Sequence, residues 1–390
     1  MQKKIIAGLI ASALAAPLLA HADVTMYGTI NMAVESTQVS GATNPPSNDV
    51  TKGRVVSKSI IGFKGNEDLG SGLKAIWQVE QEIRGAEQGG TNDKGQPAVF
   101  ATRNTFVGLS HADYGTFLIG NYDSAYKRLT NRTLNVLPDT TLDTFDSTSI
   151  FSRGEARLKN SVNYTTPVWN GFQGGLSYAF DETRSVDNNP TDPNFGKRLN
   201  ADRVSLGLNY QIAGLNVGAG WDHSGDGYST NATTNITSQK TAKTDFYKVG
   251  VSYKFDFGTM IGAGYEARLD EVPGQAKSRQ ADWLFAASQD IGAFSLKAAY
   301  ARLGQQTANG QTVLGSEAKQ WLAGVTYDLS KRTQAYVYGT KITNGSAQNV
   351  NFNAGTSPVY DANSNFGTPN ASLGKGEDLR AIGVGLKTSF

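Results

Sequence analysis

The stretch from Arg380 to Phe390 alternates without a break. Ile382, Val384, Leu386 and the final Phe390 project one way, and Ala381, Gly383, Gly385, Lys387 and Ser389 the other. Side chains of an extended chain change sides at every residue, so this is a strand with one apolar face and one small or polar face. Such a strand suits a sheet that buries its apolar face in a core, and equally a sheet whose apolar face meets lipid. The remainder of the chain decides between the two.

The same period recurs from end to end. Val24, Met26, Gly28, Ile30 and Met32 oppose Thr25, Tyr27, Thr29 and Asn31. Leu73, Ala75, Trp77 and Val79 oppose Lys74, Ile76, Gln78 and Glu80, and Tyr247, Val249, Val251 and Tyr253 oppose Lys248, Gly250, Ser252 and Lys254. A soluble sandwich would place large residues on its core face and charges on its solvent face. Here the second face is largely glycine, serine, lysine, arginine and glutamate, as a wet lumen requires.

The connections alternate in length. Short turns are read at 66–72, 111–115, 166–171, 213–214, 256–258, 290–293 and 329–332. Between them run long polar stretches at 37–57, 85–102, 123–158, 181–202, 223–244, 270–280, 304–316 and 343–376. Seven turns and eight loops join sixteen strands. The pattern predicts an all-β chain, a 16-stranded antiparallel up-and-down transmembrane β-barrel that closes first strand to last. A barrel of that size leaves an aqueous channel, where eight strands would be filled by side chains.

The amino terminus reads as an export signal. Lys3 and Lys4 precede an apolar run from Ile5 to Leu19, and Ala20-His21-Ala22 is a small-x-small cleavage site. Cleavage between Ala22 and Asp23 would divide the chain into a leader, 1–22, and a barrel domain, 23–390. Two of the 36 basic residues lie in the leader, which leaves 34 against 34 acidic ones. A chain so balanced has no bulk electrostatic reason to bind nucleic acid. Mean hydropathy is −0.36 and no later segment reads as a membrane helix, which excludes a helical bundle and not a barrel. Cysteine is absent, so there is neither a disulfide nor a thiolate metal site.

The residues then resemble a family: the general trimeric porins of Gram-negative bacteria, of the β-proteobacterial type. The resemblance rests on Val24-Thr25-Met26-Tyr27-Gly28, on the run from Ile61 to Ala75 (IGFKGNEDLGSGLKA), on Arg103-Asn104-Thr105-Phe106-Val107-Gly108-Leu109, on Tyr114-Gly115-Thr116-Phe117, and on terminal Phe390. It implies an outer-membrane channel for passive diffusion of ions and small hydrophilic solutes, a homotrimer in outer-membrane lipid, and a terminal aromatic read by the barrel-assembly machinery. It also implies a third long loop folded into the barrel, its acids facing a ladder of wall bases. That loop is 123–158, where Leu137-Pro138-Asp139 resembles the family's leucine-proline-acid signature. Thr140-Thr141-Leu142 departs from the aromatic and glycines that often follow, and Asn135 stands where a carboxylate is common. Arg103 and Arg157 match ladder positions, while Thr29 and Ile60 replace bases usual there.

A transverse field needs opposite charges held apart across a narrow, weakly screened gap. Asp139, Asp143 and Asp146 are candidates for one side. Lys58, Lys64, Lys74, Arg103, Arg157 and Lys159, inward by parity, are candidates for the other. The bland alternative is that loop charges are solvated and wall charges pair among themselves. Lys127, Arg128 and Arg132 either form a basic vestibule or pair locally with Asp123.

Rival readings have less behind them. A sugar- or phosphate-specific channel would show an aromatic slide, whereas inward Tyr27, Tyr336 and Tyr338 are scattered. A surface-structural or adhesive barrel with a closed lumen is the other alternative. Enzymatic chemistry of the serine–histidine type needs a histidine base and an orienting acid. His111 in a turn and His223 at a loop base have no acid at suggestive spacing. Gly262-Ala263-Gly264 and Gly383-Val384-Gly385 open no helix, so they are not nucleotide loops. No calcium-loop spacing occurs, and no cofactor is expected.

Overall fold

The computed structural model describes residues 23–41, 50–83, 100–130, 132–145, 150–182, 184–231, 233–352 and 373–390. The leader with Ala22, and Asp146 in the third loop, lie outside these residues. Asp23 opens the first strand.

Period-two stretches become strands wherever the sequence alternates. The first half of the wall is β1 (Asp23–Ser40), β2 in two segments (Val50–Ser57 and Ser59–Gly70), β3 (Leu73–Ile83), β4 (Thr105–His111), β5 (Gly115–Asp123), β6 (Arg157–Thr165), β7 (Phe172–Ala179) and β8 (Arg203–Ile212). The second half is β9 (Leu215–Ser224), β10 (Lys243–Lys254), β11 (Thr259–Glu271), β12 (Ser278–Ile291), β13 (Phe294–Leu303), β14 (Ala318–Asp328), β15 (Thr333–Asn344) and β16 (Asp378–Ser389). Each pairs antiparallel with the next, and β16 returns to β1 from Thr29–Ser389 to Ser40–Asp378. The sixteen-strand barrel is therefore closed, with no edge left to lipid.

Several strands outrun the expected loop limits. β1 continues to Ser40 and β2 resumes at Val50, where a loop at 37–57 is expected from polar composition. Polar residues suit a strand that has already left the apolar belt, so composition misplaces the ends. The turn expected at 66–72 is also tighter, because β2 runs to Gly70 and β3 starts at Leu73. Ser71 and Gly72 both take positive φ there (52° and 80°), as a two-residue hairpin turn requires.

Large apolar residues face outward: Ile119, Leu208, Val249, Phe285 and Val384 are all exposed. Aromatic pairs stand at two levels on that surface. Phe172–Tyr210 (4.2 Å) and Phe294–Tyr327 (4.5 Å) lie near the turns, and Tyr265–Trp283 (4.5 Å) and Tyr300–Trp321 (4.2 Å) near the loops. Trp321 and Tyr327 are six residues apart, roughly 20 Å along the strand, the scale of an outer-membrane apolar band. The buried apolar cluster is instead inside the barrel, where Leu134, Leu137, Leu142, Ile150 and Phe151 of the third loop pack on the wall.

Candidate pore constriction

Residues 124–156 leave β5, cross the inner wall and return to β6. Ser124 caps helix α1 (Ala125–Leu129), its Oγ accepting from Lys127 N at 3.2 Å. The helix is seated by wall serines: Ala125 N donates to Ser177 Oγ and Tyr126 N to Ser205 Oγ, each at 3.0 Å. Wall glycines make the room. A Cβ on Gly175 would stand 2.9 Å from Leu129, one on Gly262 would stand 2.5 Å from Leu134, and one on Gly324 would stand 2.8 Å from Leu137. The glycine-rich inner face is thus the track on which the loop lies, as well as a means of keeping the lumen wide.

The loop tip reaches β1, far around the barrel from its roots. Asn31 Nδ2 donates to the Asp139 carbonyl at 2.7 Å, and Thr141 Oγ1 to Glu35 Oε2 at 2.7 Å. Asp139 holds left-handed backbone (φ 61°), which aspartate tolerates better than most residues. Glu35 is buried and also accepts from Arg54 (2.5 Å) and Tyr338 (2.6 Å), so the anchor is itself fixed. On the way back Arg153 pairs with Asp282 (3.1 Å), and Arg203 Nη2 donates to the Gly154 carbonyl (2.8 Å).

A buried charge cluster pins the loop's middle to β10. Glu155 accepts from Arg132 and Ser152 within the loop and pairs with Lys248 at 3.1 Å. Burial by itself would raise the Glu155 carboxyl, but Arg132 and Lys248 outweigh it and hold it below the ordinary glutamate range. Tyr126 donates to Glu266 of β11; burial first, and then that carboxylate, push its phenol up.

The candidate charges fall into two groups of ion pairs. In one, Lys58 Nζ lies 3.7 Å from Asp139 and 3.6 Å from Asp143, and Lys387 lies 3.9 Å from Asp139. Asp143 is buried and also accepts from Asn135 Nδ2 at 2.8 Å, so Asn135 supports the carboxylate beside it. In the other, Arg103 pairs with Glu80 (2.6 Å) and Glu82 (3.5 Å), and Arg157 with Asp123 (3.2 Å). Lys127 pairs with Asp123 as well, at 3.0 Å, which is the local alternative for that base.

Three expectations need correcting. Acids on the loop facing bases on the wall is too simple: Glu35, Glu80, Glu82, Glu266 and Asp282 are wall carboxylates, and Arg132 and Arg153 are loop bases. Lys64 and Lys74 do not join the constriction. Lys74 is opposite Asp68, ten residues below Lys58 along β2 and so roughly 33 Å away along the strand, and Lys64 sits over the Tyr27 ring (5.2 Å) between these levels. Lys159 is exposed beside a register shift opposite Gly120 and Tyr122, with no ion pair among the described residues. Parity gives the face of a strand and says nothing of height, and a bulge interrupts even the parity. Lys387 and Glu80 were missed for the same reason, since only cross-strand register brings them to the loop's level.

The other singled-out residues have structural surroundings. Thr29 and Ile60, where bases are usual, are directly opposite each other in β1 and β2. Tyr336 and Tyr338 stack at 5.8 Å with hydroxyls on Asn31 and Glu35, so they brace the anchor and form no slide with Tyr27. His223 does have an acid partner, Asp245 across the strand pair at 2.8 Å, which sequence spacing conceals. His111 contacts the Ser71 carbonyl at 3.0 Å in a turn.

The family model for Gram-negative porins matches residues 8–347. The chain is 30% identical to the major outer membrane protein P.IB of Neisseria meningitidis, covering 87% of this chain and 94% of that protein. It is 31% identical to P.IB of Neisseria lactamica over 84% and 91%. Among solved structures it resembles an anion-selective porin from Comamonas acidovorans (TM-score 0.69, 21% identity, 95% of this chain and 100% of that one). It also resembles the trimer form of OmpT from Vibrio cholerae (TM-score 0.63, 16% identity, 95% and 99%). Closed sixteen-stranded wall, inward loop and sequence together place the chain in the family of Gram-negative porins, outer-membrane β-barrels that act as channels for passive diffusion.

Proposed function

We propose that this porin passes ions and small hydrophilic solutes through one constriction per barrel, bounded by the tip of loop 124–156 and the inner wall of β2–β5. The observation that carries this reading is the anchoring of the tip on β1, through Asn31 and Glu35, across from the loop's roots. Selectivity then belongs to the charges at that level: Asp139, Asp143 and Lys58 on one side, Arg103 and Arg157 with Glu80, Glu82 and Asp123 on the other. Each basic group is neutralised within 4 Å, so the balance among pairs, rather than a gap between opposed rows, sets the ion preference. Assembly as a homotrimer is part of the proposal, supported by the trimeric form of the Vibrio cholerae neighbour. Single-channel recording of wild type and of constriction variants in a planar bilayer tests it. A conductance and reversal potential indifferent to all of these charges would overturn it.

A further inference from the structure

Between the returning limb of the third loop and the wall of β8–β11 is a recess of about 670 Å³, the size of a small-molecule pocket. It lies along different strands from the proposed passage at β2–β5. Five bases and two acids line it. Three of its guanidinium groups keep unspent ends. Arg157 donates Nε to Asn104 Oδ1 (2.8 Å) and Arg268 donates Nε to Asp270 Oδ1 (3.1 Å). Neither uses Nη1 or Nη2 in a hydrogen bond among the described residues. Arg203 donates Nε to Asp222 and Nη2 to the Gly154 carbonyl, which leaves Nη1. Arg157 follows Gly154 by three residues, so the Arg203 group on that carbonyl stands within about 10 Å of the Arg157 backbone. Arg268 is three strands further round from Arg203, on the order of 14 Å along the wall.

The loop side of the recess offers a different chemistry. Ser224 ends β9, and Thr241 closes a small hairpin that pairs Gly227–Thr230 with Thr237–Thr241. Both line the recess, and neither hydroxyl makes a hydrogen bond among the described residues. Beside them is Asp226, held by Lys197 Nζ (3.2 Å) and the Asn200 amide (2.9 Å). A carboxylate in that place repels a simple anion and accepts from hydroxyl groups. Ala156 and the edge of Phe246 add a small apolar patch, on which the CH face of a sugar ring can rest.

The geometry points to a binding site for a polyhydroxylated acid, a sugar acid of hexuronate size. Its carboxylate lies on the open guanidinium ends, and its hydroxyls meet Ser224, Thr241 and Asp226. Charge-assisted bonds to guanidinium groups supply the hold, and the hydroxyl end supplies the discrimination. A short carboxylic acid has nothing to offer Ser224 and Thr241 and meets Asp226 as a like charge. A neutral sugar leaves the arginines without an anion. The part this site plays in permeation rests on the proposed constriction, because Arg157 belongs to both; the binding itself does not.

Isothermal titration of the detergent-solubilised protein with D-galacturonate, D-galactose and acetate at one ionic strength tests the site, alongside single-channel conductance in potassium chloride. The variants are R268Q, whose arginine pairs with Asp270 outside the proposed constriction, and S224A/T241A. Both are checked for wild-type heat-modifiable mobility. Wild type should bind galacturonate roughly tenfold more tightly than galactose or acetate. R268Q should weaken galacturonate about tenfold, and S224A/T241A should bring it down to the acetate value while leaving acetate unchanged. Both variants should keep the wild-type conductance. Selective galacturonate binding by a protein whose conductance ignores the constriction charges would uphold this site and sink the constriction. Equal galacturonate affinity in wild type and both variants would overturn the site, whatever the conductance. So would acetate binding as tightly as galacturonate, which would make the recess a general basic surface, or galactose binding as tightly, which would leave the arginines without a role.

Discussion

At the scale of single residues, the proposed constriction is a set of ion pairs whose members can be removed one group at a time. Replacing Asp139 and Asp143 by asparagine leaves Lys58 and Lys387 without their carboxylates, and the passage should favour anions. Replacing Arg103 and Arg157 by glutamine frees Glu80, Glu82 and Asp123, and it should favour cations. The groups of both sets are partly or wholly buried, where counter-ions screen poorly compared with the outer loops. The expected reversal-potential shifts are on the order of 10 mV, against ~59 mV for perfect selectivity in a tenfold gradient of a monovalent salt. Neutralising exposed Lys240 should leave the value where it was. Two double mutants that both keep the wild-type reversal potential would show that other charges set the preference.

At the scale of the element, loop 124–156 is held by groups buried enough that losing one partner is costly. The Lys248 side chain is wholly buried and that of Glu155 is 2% exposed. Glu155→Gln therefore strands a buried ammonium, a loss of about 3–5 kcal/mol when one member of a buried pair is removed. The cost should appear as loop release, seen as flickering conductance at neutral pH, and E155Q/K248M should restore steady current. The pH dependence follows from the sign of the shift. A carboxyl held below its unfolded value contributes stability that is full above the unfolded value and is lost as pH falls through the folded one. Wild-type current should stay steady through mildly acid conditions and become noisy only below the usual glutamate range, while E155Q should lack that transition. An identical acid transition in E155Q would move the anchor elsewhere. Much of this element was legible in the sequence and much was not. Leu137-Pro138-Asp139 and the length of the polar stretch locate the loop, and alternation locates nearly every strand it crosses. What alternation omits is height and register. It could not separate Lys58, at the tip, from Lys64 and Lys74 below it, nor reveal that Arg153 and Asp282 reverse the expected polarity. Glycines 175, 262 and 324 did carry the signal, as inward positions without side chains, but only the packed loop shows what fills the space.

At the scale of the molecule, stability rests on closure. Every strand finds two neighbours, and the last pairing, β16 on β1, converts two edges into wall. Unpaired backbone groups are intolerable in hydrocarbon, so a closed barrel resists unfolding as a unit. Purified protein should show strand-dominated circular dichroism and run as a heat-modifiable oligomer; a helix-dominated spectrum would contradict the fold. Phe390 sits at the end of this seam. Its amide donates to the Gly28 carbonyl and its carbonyl accepts from the Gly28 amide, each at 3.1 Å, and its ring lies over Gly28 where a side chain would collide. Deleting Phe390 removes both bonds and uncovers the turn-side end of β1, without touching the loop or the constriction. The expected result is slower and less complete insertion into the outer membrane, with export across the inner membrane unchanged and with wild-type conductance in the channels that do form. Phe390→Ala keeps the two backbone bonds and loses the ring alone. If it inserts normally while the deletion fails, seam closure is the requirement; if both fail equally, the aromatic ring is what assembly reads. Normal amounts of folded oligomer in both strains would remove the terminal residue from the account of assembly.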